Sequence, residues 1–469
     1  MKVEQLYTGC LAEAAYYIES DGEVAIVDPL REVEPYIQMA EANGAKIKYV
    51  LETHFHADFV SGHIDLAHKT GATIVYGPTA QPGFEAHVAH DQEVLQLGRV
   101  KIKVLHTPGH TMESTTYLLV NEEGDETAIF TGDTLFIGDV GRPDLAVKTD
   151  LTREDLAGYL FDSLRNKIMP LPDDIIVYPG HGAGSACGKN MSKETTDTLG
   201  NQKAFNYALR TNMTREEFIG EVTKGLVRPP QYFPKNAVMN KQGYESIDEI
   251  LERGVIALNL KEFQDVVKRN NALILDTRPK EDFVKAFIPG SLWIGIDDNF
   301  APWVGALIAD LDQPIVFLAL PGREEEVVTR LSRVGYDHAL GFLEGGIASW
   351  IAGGNRVQRV EEIGPHDFTN IYDTEVLDVL DVRKESEFQS QHIQGAVNFP
   401  LDFIYENLEQ LDKDKEYYVH CQGGYRSVIA TSILMANGFQ EVINIRGGFG
   451  EIKKSCIKVT EYHEPETML

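Results

Sequence analysis

The feature that most constrains this chain is an internal repeat in its C-terminal half. Asp276-Thr277-Arg278 returns as Asp381-Val382-Arg383, and Phe287-Ile288-Pro289-Gly290-Ser291 returns as His392-Ile393-Gln394-Gly395-Ala396, each 105 residues later. Gly345-Gly346-Ile347 returns as Gly447-Gly448-Phe449 after 102. In both copies an apolar run, Pro314 to Leu320 and Tyr417 to His420, precedes a glycine-bearing loop. Three landmarks in one order at a near-constant offset mark a duplication. Units this long read as two copied α/β domains, not as solenoid repeats. At roughly 150 residues per domain, the 469 residues leave room for one more. The expected division is 1–244 with a C-terminal extension, then 245–357, then 358–469.

The first part alternates short strands with helical stretches. Val24 to Asp28, Ile47 to Leu51 and Val100 to Val104 read as strands, and Glu34 to Asn43 and Gly62 to Thr70 as helices. Strands in meanders followed by strands with interposed helices predict layered α/β architecture. Arg228-Pro229-Pro230 to Pro234 reads as an extended domain exit.

Lys plus Arg number 43 against 72 Asp plus Glu, a net charge of −29, which argues against nucleic-acid backbones and anionic membranes as partners. Four scattered cysteines are too few for a disulfide framework. The chain opens without an apolar leader and has no run of about 18 apolar residues. A soluble protein of the reducing cytoplasm is expected, with homo-oligomerisation left open.

The chemistry is concentrated in short motifs. Thr53-His54-Phe55-His56-Ala57-Asp58-Phe59 sets two imidazoles and a carboxylate just after a strand. His106-Thr107-Pro108-Gly109-His110, Thr131-Gly132-Asp133 and Tyr178-Pro179-Gly180-His181 follow, each after a β-like run and beside a glycine that lets backbone approach an ion. Four such elements together predict a metal centre.

This order closely resembles the metallo-β-lactamase superfamily over about residues 1–210, which implies an αββα sandwich with metal at the sheet edges. The family pattern His-x-His-x-Asp-His ends here in Phe59, which weakens the second metal position, although Asp58, Asp133 and His181 remain. Within the superfamily the motifs look most like persulfide dioxygenases. That resemblance implies one Fe(2+) per chain, held by His54, His110 and Asp133, with His56 as a neighbouring group. Two imidazoles and a carboxylate on one face leave positions open for oxygen and a sulfur substrate. Arg142, in Gly141-Arg142-Pro143-Asp144, is implied beside the thiol substrate; paired with an aspartate, it would be structural instead. Cys187 could approach the iron pocket with Lys189 as a nearby cation, or be a small buried residue in a glycine-rich loop.

The second constellation is His420-Cys421-Gln422-Gly423-Gly424-Tyr425-Arg426-Ser427, followed by a helical stretch from Val428 to Asn437. A cysteine on a strand-to-helix turn with two glycines lets backbone N–H groups converge as an anion nest. The helix N-terminus and Arg426 add positive potential, so a thiolate or persulfide on Cys421 is expected to be stabilised. A cysteine and an arginine bracketing a short loop also suit a phosphatase, whose loops are usually one residue longer. With Asp381-x-Arg383, Gly395 and Gly447-Gly448, residues 360–469 resemble a rhodanese domain. The resemblance implies sulfur transfer by Cys421, with Arg426 at the catalytic loop and Gln422, Gly423, Gly424 and Tyr425 around the substrate. The earlier copy has the same frame, but its loop, Leu320-Pro321-Gly322-Arg323-Glu324-Glu325, carries no thiol. It reads as an inactive rhodanese-like spacer or platform, with Trp350 in its core.

The whole order resembles multidomain persulfide dioxygenase-sulfurtransferases. The implied reaction oxidises a low-molecular-weight thiol persulfide with O2 to sulfite, and Cys421 then passes sulfane sulfur to sulfite, giving thiosulfate. The alternatives are a zinc-dependent thioester hydrolase of the hydroxyacylglutathione hydrolase type with an attached sulfur-carrier domain, and a non-enzymatic sulfur carrier or sensor. The identity of the carrier thiol is left open.

Overall fold

A computed structural model describes residues 1–146, 151–372 and 374–464. The chain forms two compact units. One comprises Met1–Ile247 with Ser332–Gly335, and the other runs from Asp248 onward apart from that stretch.

The first unit is built on two six-stranded sheets. One takes its strands in chain order: Lys2–Thr8, Glu13–Ser20, Glu23–Val27, Lys46–Leu51, Thr73–Tyr76 and His87–Val88. The other runs Asp197–Thr198, Ile176–Pro179, Glu126–Gly132, Thr115–Val120, Val100–His106, Val94–Leu97. The inner faces meet in one core, where Tyr16, Ile18, Val27 and Val75 pack with Val104, Tyr117, Leu119 and Phe130. The outer faces are covered too. Tyr17, Val24 and Ile26 pack with Tyr36, Ala40 and Leu66, and Leu118, Ile129 and Val177 pack with Ala157, Leu160 and Leu164. Burial on both faces explains why Glu13–Ser20 is almost entirely buried along its length. This is the expected αββα sandwich.

The Pro-rich stretch does not take the chain out of this unit. A helix, Phe233–Gln242, follows it, and Asn240 on that helix is fully buried against the His56–Ser61 loop. Asn240 Nδ2 donates to the carbonyls of His56 and Phe59 at 2.8 and 2.7 Å, and Asn240 Oδ1 accepts from Ser61 N at 2.9 Å. One amide therefore satisfies three backbone groups of a loop that has no ladder of its own.

The second unit holds two five-stranded parallel sheets of identical topology. The first reads Ala257–Leu258, Ala339–Leu343, Ile315–Leu318, Leu273–Asp276, Leu292–Trp293, and the second Glu361–Ile363, Glu441–Ile445, Glu416–His420, Asp378–Asp381, Val397–Asn398. The duplication in sequence is thus a duplication of fold. In each copy the aspartate that ends the second strand forms a buried fork with the arginine two residues on: Arg278 Nη2 lies 2.6 Å from Asp276 Oδ2, and Arg383 Nη2 lies 2.6 Å from Asp381 Oδ2. Trp350 is half-buried at the edge of its domain's core, and its indole N–H donates to Arg356 O at 2.9 Å. None of the described helices is long and apolar enough to cross a membrane.

Candidate metal centre and sulfur-carrying loop

Four segments leave the C-terminal ends of strands in the two sheets of the first unit and bring His54, His110, Asp133 and His181 together. All four are buried. Close approach is possible because Gly132, with φ of +49°, stands where a Cβ would meet Thr53 Oγ1 at 2.4 Å. His54, His110 and Asp133 each offer a ligand atom, all within 4.8 Å of one another. Asp133 Oδ2 lies 3.4 Å from His110 Nε2 and 4.0 Å from His54 Nε2, and it is buried without a hydrogen-bond partner. A buried carboxylate oxygen facing two imidazole nitrogens is the donor set a cation needs. The residues fit a bound metal ion.

Hydrogen bonds set the tautomers. Thr53 Oγ1 donates to Asp28 Oδ2 at 2.7 Å, so its one proton is spent and it accepts from His54 Nδ1 at 3.0 Å. His110 Nδ1 donates to the backbone carbonyl of Arg142 at 2.9 Å. In both rings the proton is held on Nδ1 and the Nε2 lone pair faces Asp133. Burial, reinforced by His56, pushes His54 well below the ordinary histidine value and keeps it neutral, as a ligand must be. Burial acts against the charge on Asp133, but His181, its nearest partner, outweighs it and keeps the carboxylate ionised.

His56 points elsewhere. Its Nε2 lies 3.1 Å from Asp28 Oδ1 and 3.5 Å from Glu52 Oε2. Burial opposes its charge, yet Asp28 and Glu52 raise it to about 9, and with these two carboxylates it forms a separate buried group whose ligand atoms lie within 4.8 Å of one another. Phe59 packs on its ring, centroids 4.3 Å apart. His181 spans two carboxylates: Nδ1 lies 2.8 Å from Asp133 Oδ1 and Nε2 lies 2.7 Å from Asp58 Oδ2.

Cys187 forms a further group with Asp58 and His181. Burial, then Asp58 and Asp133, push its thiol up. Lys189 does not offset this, because its Nζ donates to the carbonyls of Glu221 and Lys224 at 2.7 and 2.6 Å.

Arg142 follows the Asp-paired reading. Its guanidinium is buried and forked to Asp144 at 2.7 and 2.8 Å, with Ala186 O and Val227 O taking further N–H groups. With these donors committed, the side chain is not available as a substrate group. Its carbonyl, on His110, is what reaches the metal centre.

In the third domain, Cys421 directly follows the strand Glu416–His420 and is buried. Gly424, with φ of +93°, turns its N–H onto Cys421 Sγ at 3.1 Å. The loop is held from behind by Gly448: a Cβ there would lie 2.3 Å from Cys421 O, and Phe449 N donates to that carbonyl at 2.6 Å. The helix that follows is Arg426–Ala436.

Two expected substrate groups are otherwise engaged. Gln422 Oε1 accepts from Arg383 Nη1 at 3.3 Å, Tyr425 Oη donates to Gly295 O at 2.9 Å, and Gly423 alone of the loop glycines is exposed. Arg426 is not a bare cation, since its guanidinium is forked to Glu387 at 2.5 and 2.8 Å. An acid at the matching place of the first copy, Asp282, was the signal in the sequence that could have revealed Glu387. Asn240 had no such signal.

Burial acts to raise the Glu387 carboxyl, but Arg426 outweighs it and holds the group below its ordinary value of 4.5. Stability from this pair is therefore present above that value and is lost as pH falls through the lower folded value. Glu387→Gln should flatten the acid limb of a melting-temperature profile taken below pH 4.5. An unchanged limb would show that the pair contributes nothing.

An αββα unit with a buried group of residues that could hold a cation is followed by two parallel-sheet domains, of which one carries a nested cysteine. The metallo-beta-lactamase superfamily matches residues 8–181, and the rhodanese-like domain matches 259–353 and 364–455. The chain is 33% identical over 181 residues to a probable hydroxyacylglutathione hydrolase of Schizosaccharomyces pombe, covering 38% of this chain and 66% of that protein. It is 31% identical over 193 residues to hydroxyacylglutathione hydrolase GloC of Haemophilus influenzae, covering 36% of this chain and 85% of that one. A solved structure of a metallo-beta-lactamase from Staphylococcus aureus is 32% identical, covers 73% of this chain and 98% of its own, and superposes with a TM-score of 0.63. The chain spans 58 to 66% of the length of the first curated relatives. It belongs to the metallo-β-lactamase superfamily and carries two rhodanese-like domains.

Proposed function

We propose that the chain is a non-haem iron persulfide dioxygenase coupled to a sulfurtransferase. The observation that carries this reading is the set His54, His110 and Asp133, two imidazoles and one carboxylate, with His56 withdrawn into an acid pocket and Phe59 where a further ligand would stand. Such a set suits one Fe(2+), which when bound supplies redox chemistry with O2 and open positions for a sulfur anion. The protein's own part is positional. Thr53 and the Arg142 carbonyl keep the protons of His54 and His110 on Nδ1, and His181 keeps a proton between Asp133 and Asp58. The overall reaction takes a thiol persulfide, O2 and water to thiol, sulfite and two protons. Cys421 then carries sulfane sulfur to sulfite, giving thiosulfate. The partners are thus a low-molecular-weight thiol persulfide, O2 and sulfite.

The names of the curated relatives favour a second reading, a zinc-dependent thioester hydrolase with an attached sulfur-carrier domain. The group Asp58, His181 and Cys187 gives that reading a place for a second ion. Anaerobic metal analysis, with oxygen uptake by the Fe(2+)-loaded chain on glutathione and coenzyme A persulfides, separates the two. One iron per chain and persulfide-dependent uptake are expected. A zinc pair with thioesterase activity and no oxygen uptake sinks the dioxygenase.

A further inference from the structure

The thiol-free middle domain takes part in the site of its neighbour. Its Trp293 packs edge-on against Tyr425 with centroids 5.1 Å apart, and Tyr425 Oη donates to Gly295 O. Trp293 is fully buried, and its backbone N–H donates to Ser432 Oγ on the helix behind Cys421 at 3.2 Å. These contacts bring Lys280 to the loop: a Cβ placed on Gly424 would lie 3.7 Å from Lys280 Nζ and 3.5 Å from Gly447 N. Gly424 is the residue whose N–H meets the thiol sulfur. Among the described residues, the one carboxylate within 4.0 Å of Lys280 Nζ is Glu281, at 3.9 Å, on a side chain that is 70% exposed. Of the acids on the facing loop, Asp297 is taken by Arg323 at 2.5 Å, and Asp298, on the exposed side of the loop, is a charge neighbour of Lys280 beyond 4.0 Å.

Charge makes this placement matter. Transfer of sulfane sulfur to sulfite brings two anions together. The sulfite sulfur lone pair forms a bond to the outer sulfur of the Cys421 persulfide, the persulfide S–S bond breaks, and its electron pair leaves on the Cys421 thiolate. Thiosulfate and thiolate carry the same total charge as the reactants, and no oxidant is needed. A nest of N–H groups and a helix N-terminus supply only partial charges, and the full charge of Arg426 is matched by Glu387.

Resting on the sulfurtransferase reading of Cys421, we propose that Lys280 of the middle domain is the cation that draws anionic sulfur donors and acceptors to Cys421. The middle domain is then a contributor to the site and not a spacer.

Alkylation of Cys421 in the full-length chain, followed on its own peptide by mass spectrometry, tests this without any sulfur transfer. Iodoacetate carries a charge and iodoacetamide does not. In Lys280→Ala the iodoacetate-to-iodoacetamide rate ratio should fall by about 3- to 10-fold at low salt, the effect of one charge a few ångströms away. Lys280→Arg should keep the ratio, and high salt should remove the difference between wild type and Lys280→Ala. A ratio unchanged in Lys280→Ala overturns the proposal. So does an equal fall in both rates, which would mean that Lys280 only shapes the loop. If the ratio falls while the wild-type chain makes no thiosulfate, the anion site stands and the sulfurtransferase reading fails.

Discussion

His54→Ala abolishes persulfide-dependent oxygen uptake and leaves the chain unable to retain iron through gel filtration. Loss of a group that only orients a ligand costs about 10- to 100-fold in metal affinity, so loss of the ligand should exceed about 100-fold. The vacated imidazole cannot be replaced from within the site. His56 is the near candidate, its ring centroid 4.2 Å from that of His54, but it is held as a cation between Asp28 and Glu52. Thr53→Val supplies the graded comparison. It keeps the imidazole and removes the hydroxyl that fixes its tautomer, so a loss within the 10- to 100-fold range is expected. Both variants should alkylate at Cys421 at the wild-type rate, which separates loss of the centre from loss of the fold. Oxygen uptake that survives in His54→Ala, with iron still bound, overturns the ligand assignment.

Cys421→Ser removes thiosulfate formation to background while oxygen uptake stays within about 2-fold of wild type. A serine hydroxyl can take the Gly424 N–H bond that Cys421 Sγ takes now, and the site is already closed behind by Gly448, so the loop should hold its shape. What is lost is chemical, because an alkoxide is not accessible near neutral pH and an oxygen–sulfur adduct cannot stand in for a persulfide. Sulfite should then accumulate as the end product when the chain is fed persulfide. If thiosulfate still forms at the wild-type rate, sulfur reaches sulfite by another route and the C-terminal domain has a different role.

Much of the fold was legible because it is written in local spacing. The offset of 105 between Asp276 and Asp381 announced two like domains, and the sheets share one strand order. The ligand motifs were legible because glycines and strand ends must accompany histidines that approach one ion. The long side chains were not legible. Arg142 was left open between a substrate role and pairing with an aspartate, and Arg426 was expected as a cation at the thiol loop; one is forked to Asp144 and the other to Glu387. His56 reads in sequence like His54, and only the buried acids Asp28 and Glu52 turn it away from the centre.

By itself, then, the sequence determined the domain types, the strand ends that bear His54, His110, Asp133 and Cys421, and the absence of a thiol from the middle copy. Residue type and short spacing suffice for these, since backbone geometry within a few residues is set by local sterics. The tertiary structure decided which partner each charged or tautomeric group takes, and it brought Asn240 to the His56–Phe59 loop and Lys280 to the Cys421 loop. Apart from pairs such as Arg142 with Asp144, those choices join segments tens to nearly two hundred residues apart. They turn on distances of an ångström or less and on free-energy differences of about 1 kcal/mol per hydrogen bond, which no pattern along the chain records.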